Sequence, residues 1–329
     1  MTDVTERIFA AARQRRGRPV LPEAGDERIL AAARSLVDQD VAAPVVLGEP
    51  IKVERAAAAA GIDLAGIEIV DPASSSRIED YARSYLENRP NKKPGVAWRL
   101  MQKPLFFAAA MVRAGHADAM IAGVAHPTAR VIEAGKMALG MQPDVQTPSS
   151  FFLITVPARD GHPERNLVFA DCALNIEPSA EELADIALAS RDSAAKLLDE
   201  SPRVALLSFS THGSARHAAA EKVARAAAIA RERAPDGFFD GELQVDAALV
   251  ESIAAAKCRE PSAVAGRANV LVFPDLAAGN IAYKLVQQLA GARAIGPFCQ
   301  GFAGPLCDLS RGASVEDIVT ATVISLALG

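Results

Sequence analysis

Near its C-terminus the chain gathers residue types able to hold and attack an anionic substrate. In DLSRGASVEDI, Asp308 to Ile318, a serine and an arginine stand beside a glycine, just ahead of an apolar run, VTATVISLALG. A hydroxyl, a guanidinium and free backbone N–H groups meeting at a helix start suit an oxyanion or a phosphate. Ser314-Val-Glu-Asp317 also fits a capping box, with Ser314 as the cap and Asp317 as the answering acid. Asp317 is therefore open to a structural and a chemical reading, whereas Ser310 and Arg311 gain nothing from the cap.

Other clusters are weaker taken singly. THGSAR, Thr211 to Arg216, follows RVALLSFS and precedes a helix-like stretch. Such a turn exposes N–H groups and a positive dipole end, a phosphate seat that would include Ser214, although Ser and Thr there also serve as ordinary caps. FPDLAAGNIAYK places Asn280, Tyr283 and Lys284 within about one helical turn. DGELQVDAA, with three acids and Gln244, reads as a solvated loop or part of a site. Arg89 lies in a basic, proline-marked loop, YLENRPNKKPG. Cys172, in LVFADCALN, follows a strand and reads as a buried thiol. No GxGxxG and no GxxxxGK[ST] occurs, so neither a dinucleotide fingerprint nor a P-loop is present.

These clusters need elements to position them. RPVLPEA, DERILAAARSLVDQD and APVVLG read as strand, helix, strand, and the pattern recurs at ADAMIAGVA, RVALLSFS and ANVLVFPD, each followed by an Ala-rich helical stretch. Repeated βα units predict an α/β fold with largely parallel sheets flanked by helices. In such sheets ligands collect at the C-terminal strand ends, where GVAHPT, SFSTHGS, PDLAAGN and DLSRG fall. A β-rich section begins around PDVQTPSSFFLITVP, which places a domain boundary near residue 145.

With 329 residues, two domains are expected. The net charge of −5 comes from scattered charges, which argues against a nucleic-acid partner; the densest basic cluster, RQRRGR, reads as a solvated helix end. No apolar run approaches membrane-spanning length, and the N-terminus has no secretion-signal character. Four cysteines without CxxC pairing and five histidines point to a reduced, cytoplasmic protein without a multi-His metal site.

Taken together, LVFADCALN, SFSTHGSAR, DGELQVDAA, VAGRANVLVFPDLAAGNIAYK, AIGPFCQG and DLSRGASVEDI resemble the phosphotransacetylases (phosphate acetyltransferases) and phosphate butyryltransferases, in order and spacing, over almost the whole chain. The resemblance implies reversible acetyl transfer between coenzyme A and orthophosphate, by direct thiolate attack in a ternary complex. It implies two α/β domains, 1–145 with 300–329 and 146–299, with an active-site cleft between them and an isocitrate-dehydrogenase-like architecture. It also implies a homodimer, small-molecule substrates, no metal and no permanently bound cofactor, with coenzyme A or acetyl-CoA as substrate. By position, Asp317 would take the thiol proton, Ser310 would stabilise the oxyanion and Arg311 would hold phosphate. Arg89 would bind substrate, Asn280, Tyr283 and Lys284 would line the cleft, and Cys172 would lie near the site without being a nucleophile. One departure stands out: Glu133, in HPTARVIEAG, occupies a position usually held by arginine, and Arg130, one turn earlier on the same face, would compensate.

Three other readings compete: a propionyl- or butyryltransferase with the same mechanism, a non-catalytic acetyl-CoA-sensing module, and a decarboxylating dehydrogenase of similar architecture. The intact Ser310, Arg311 and Asp317 weigh against the second. The DLSRG segment and the missing dinucleotide signature weigh against the third.

Overall fold

A computed structural model of the chain describes residues 3–329 except 88, 90, 144, 160, 162 and 259. In chain order the elements run α1 (Asp3–Arg15), β1 (Pro19–Leu21), α2 (Glu27–Asp38), β2 (Val45–Leu47), α3 (Pro50–Ala60), β3 (Glu68–Val70), α4 (Ile78–Glu87), α5 (Pro94–Met101), α6 (Pro104–Arg113), β4 (Ala119–Ala122) and α7 (Thr128–Ala134), which continues as a π-helical turn, Gly135–Leu139. Then come β5 (Ser149–Val156), β6 (Arg165–Ala170), α8 (Ala180–Leu197), β7 (Arg203–Leu207), α9 (Ala218–Arg233), β8 (Phe238–Leu243), α10 (Val245–Leu249), α11 (Glu251–Lys257), β9 (Val270–Val272), α12 (Leu276–Ala290), β10 (Arg293–Gln300), β11 (Leu306–Asp308) and α13 (Val315–Ala327). Two compact units result, Asp3–Pro143 with Phe302–Gly329, and Asp144–Gly301.

The first unit carries a parallel sheet ordered β3-β2-β1-β4-β11. β1, β2 and β4 are short, apolar and buried throughout, as parallel strands covered on both faces must be. Prolines begin α3, α5 and α6, where a missing N–H costs nothing. The final apolar run becomes α13, buried from Ile318 to Leu326. A helix apolar on all sides belongs in the interior, and α13 packs against α1, α2, β4 and β11.

The second unit has the order β10-β5-β6-β9-β7-β8. Its first three strands are antiparallel and the remaining three pairings, from β6 onward, run parallel. Phe152, Ile154, Phe169, Leu207, Leu271 and Phe273 form its core, with half-buried Tyr283 and Val286 of α12 packed on it. DGEL does not form the solvated loop expected: Asp240 to Leu243 belong to the edge strand β8 and are buried. Its carboxylates are tolerated there because each has hydrogen-bond donors.

Candidate active site

In the first unit the loops after β1, β4 and β11 are locked together by two side chains. Glu23, only 5% exposed, accepts the N–H groups of Gly123, Val124, Ala125 and His126 at 2.9–3.0 Å. His126 adds its Nδ1 at 2.7 Å. One carboxylate thus holds the whole GVAH turn that leads to α7. Arg28, in the first turn of α2, donates to the carbonyls of Arg311 (2.8 Å), Ala313 (3.0 Å) and Val124 (3.3 Å). It also grips Asp26, whose carboxyl it holds below the ordinary range through that hydrogen bond.

The turn that follows β11 is built on Ser310. Its hydroxyl accepts the Gly312 N–H at 3.2 Å and its carbonyl the Ala313 N–H at 2.9 Å. Among the described residues no partner takes the N–H of Ser310 or Arg311, and both side chains are exposed. Ser314 then caps α13. It receives the Asp317 N–H at 3.1 Å, while Asp317 Oδ2 accepts from the Ser314 N–H at 3.0 Å and its hydroxyl at 2.8 Å. All of these bonds use Oδ2, so Oδ1 of Asp317 is left outside the cap among the described residues. The turn and the helix start it leads into therefore carry two donor N–H groups, a hydroxyl, a guanidinium and a carboxylate oxygen, residue types suited to an anion and a proton transfer.

Arg89 stacks over Tyr85 at 4.5 Å and lines a cavity of about 340 Å³ with Tyr81, Arg113 and Lys136. Its neighbours 88 and 90 lie outside the described residues. Arg130 bonds Glu133 at 2.7 Å, an exposed pair one turn apart, so its charge is already engaged.

The second unit holds the other candidates. Cys172 is fully buried, and burial first, then the Asp171 charge, pushes its thiol well up. A neutral buried thiol is a poor nucleophile. Its carbonyl accepts from Asn280 Nδ2 at 3.1 Å. Gly279 allows that approach, since a Cβ there would lie 2.3 Å from the Asp171 carbonyl oxygen. Tyr283 stacks on Phe152 with ring centres 4.3 Å apart, and exposed Lys284 sits 5.7 Å from the Tyr283 ring. Ser214 stands apart from these, in the turn after β7.

That turn departs from the expected phosphate seat. The N–H groups of Thr211, His212, Gly213, Ser214 and Ala215 go to Ser214 Oγ, the Glu242 carbonyl, Glu242 Oε1, the Thr211 carbonyl and Ser210 Oγ. All five donors are used internally, so the turn presents no open nest to an anion. Ser214 is part of the brace. Sequence reading also passed over Glu23, Arg28, Asp308, Arg113 and Lys136. Glu23 and Arg28 flank the helix start in LPEAGDERIL, where a capping reading accounts for the charges and conceals their long-range partners.

The family described as phosphate acetyl/butaryl transferase matches residues 3–326. The chain belongs to that family. It is 42% identical over 326 residues to a phosphate acetyltransferase of Clostridium acetobutylicum, covering 98% of both chains. It is 46% identical over 329 residues to that of Treponema pallidum, covering 97% of this chain and 98% of the relative. Its fold matches a phosphotransacetylase structure from Streptococcus pyogenes with a TM-score of 0.90 at 36% identity, over 99% and 98% of the two chains. Mostly parallel sheets flanked by helices are thus the family's architecture, as the βα repeats predicted.

Proposed function

We propose that the protein is a phosphate acetyltransferase, transferring acetyl reversibly between coenzyme A and orthophosphate. The observation that carries this reading is the turn at Ser310 and Arg311, with unpartnered N–H groups at the start of α13. In the direction of thioester synthesis, Asp317 Oδ1 takes the proton of the CoA thiol, whose ordinary pKa of about 8.5 leaves it mostly neutral at pH 7. The thiolate attacks the acetyl carbonyl, and the Ser310 hydroxyl and turn N–H groups stabilise the charge that builds on oxygen. The C–O bond to phosphate breaks, the leaving phosphate takes up the proton that Asp317 received from the thiol, and the Arg311 fork holds the resulting dianion. No acyl-enzyme is needed, in keeping with the buried, neutral Cys172.

Arg89, with Arg113 and Lys136, lines a cationic cavity fitted to a phosphate group of coenzyme A. Lys136 lies three residues past Glu133 and supplies positive charge that the Arg130–Glu133 pair does not. Asn280, Tyr283 and Lys284 bind substrate, and Ser214 shapes its neighbouring turn. The chemistry uses coenzyme A as substrate and routes no step through a metal or a resident cofactor. No helix among the described residues is long and apolar enough to cross a membrane, and four free cysteines suit a reducing cytoplasm. A homodimer would cover α12, where Ile281, Leu285 and Leu289 form a stripe 57%, 51% and 75% exposed.

The test is ultraviolet detection of thioester formation from coenzyme A and a series of acyl phosphates. Acetyl phosphate should give the highest kcat/KM. Absence of turnover with every acyl phosphate would overturn the reading, and a clear preference for butyryl phosphate would overturn its acyl assignment.

A further inference from the structure

Arg28 directs every N–H of its guanidinium at this chain. Nε and Nη2 hold the two oxygens of Asp26 at 3.0 and 2.7 Å, and Nη2 also reaches the Val124 carbonyl at 3.3 Å. Nη1 donates to the carbonyls of Arg311 at 2.8 Å and Ala313 at 3.0 Å. A guanidinium has five N–H donors, so these five bonds leave none for a substrate. The frame behind it is fixed. Asp26 caps α2 by accepting the Arg28 N–H, and Val124 lies in the turn whose N–H groups Glu23 holds.

The two turn carbonyls belong to peptide units with a second face. In a trans peptide the C=O and the N–H that follows it point opposite ways. Behind the Arg311 carbonyl is the Gly312 N–H, which donates to Ser310 Oγ at 3.2 Å. Behind the Ala313 carbonyl is the Ser314 N–H, which donates to Asp317 Oδ2 at 3.0 Å. Ser310 Oγ therefore accepts from the backbone and keeps its own proton to donate. Asp317, held at Oδ2, keeps Oδ1 to receive one.

We propose that Arg28 is a positioning residue for acyl transfer: by fixing the Arg311–Gly312 and Ala313–Ser314 peptide planes, it aims the Ser310 hydroxyl and the Asp317 carboxylate together. It touches no substrate and acts through those two side chains. Lysine in its place offers three N–H groups from a single point, which cannot span Asp26, Val124 and both turn carbonyls.

The inference rests on the acyl-transfer reading of the Ser310 turn. Its test is a mutant cycle with coenzyme A and acetyl phosphate. Arg28→Lys is made in the wild type, in Ser310→Ala and in Asp317→Asn, with the melting temperature of each followed alongside. In the wild type kcat should fall about 10–100-fold, the scale of a misplacement of about 1 Å, with KM for both substrates within about twofold. In each of the other two backgrounds the factor should be smaller, because one of the side chains that Arg28 acts through is gone. Equal factors in all three backgrounds would overturn the proposal, as would an unchanged kcat in Arg28→Lys or a loss carried by KM alone. If Arg28→Lys does not fold, Asp26→Asn, which loosens the anchor and keeps the guanidinium, goes through the same cycle and is judged in the same way. If the wild type turns over no acyl phosphate, the acyl-transfer reading has failed, and amide NMR relaxation decides this inference separately. In Arg28→Lys the order parameters of the Gly312 and Ser314 N–H groups should fall from about 0.85 to below about 0.6. That of Ile318, whose N–H is bonded to the Ser314 carbonyl, should stay unchanged. Unmoved values at Gly312 and Ser314, or a fall shared equally by Ile318, would overturn it.

Discussion

In the proposed mechanism the Asp317 carboxylate holds two roles. Its Oδ2 closes the capping box with Ser314, which leaves Oδ1 for proton transfer. Spacing in the sequence revealed the box, and only the family resemblance suggested the base, because a cap and a base ask for the same residue type. Asp317→Asn keeps an acceptor for Ser314 while losing the basic oxygen. Its kcat should fall by about 10²–10⁴ with the melting temperature nearly unchanged, measured by thioester assay and calorimetry. Asp308 makes a separate prediction about stability. Its folded value of about 6 lies above the ordinary 3.8, so between those values the folded chain holds the extra proton. Stability attributable to this group is therefore full below about pH 4 and is lost as pH rises through 6, by about 3 kcal/mol. Denaturant unfolding of the wild type and Asp308→Asn across pH 4–7 should show that loss in the wild type alone.

Among the elements, the strands that carry the site were legible because β1, β4, β7 and β9 are short apolar runs between helical stretches. β8 was not, since FFDGEL mixes aromatic and acidic residues, and local polarity does not reveal that Asp240 and Glu242 have partners some 30 residues away in sequence. For the same reason the THGSAR turn read as an open seat: its serines and glycine were visible, but the Glu242 side chain that claims its donors was not. Gly123 tests how tightly the loops after β4 and β11 are held. It sits at φ +110°, and a Cβ there would meet the Leu309 carbonyl oxygen at 2.4 Å. Gly123→Ala should cost at least about 2 kcal/mol in denaturant unfolding, from backbone strain and overpacking together.

For the whole molecule, the βα repeats announced the architecture, whereas the chain's return to the first unit through β11 and α13 lay beyond periodicity and followed from resemblance alone. The proposed homodimer is argued from α12, whose apolar stripe is exposed among the described residues. Leu285→Glu should convert a dimer to a monomer in light scattering while leaving circular dichroism unchanged; a dimer that persists would place the second copy elsewhere. Direct transfer between coenzyme A and phosphate is the central claim, and exchange of labelled orthophosphate into acetyl phosphate tests it most directly. Label should enter acetyl phosphate only when coenzyme A is present. Exchange at a comparable rate without coenzyme A would require an acyl-enzyme and would contradict the account.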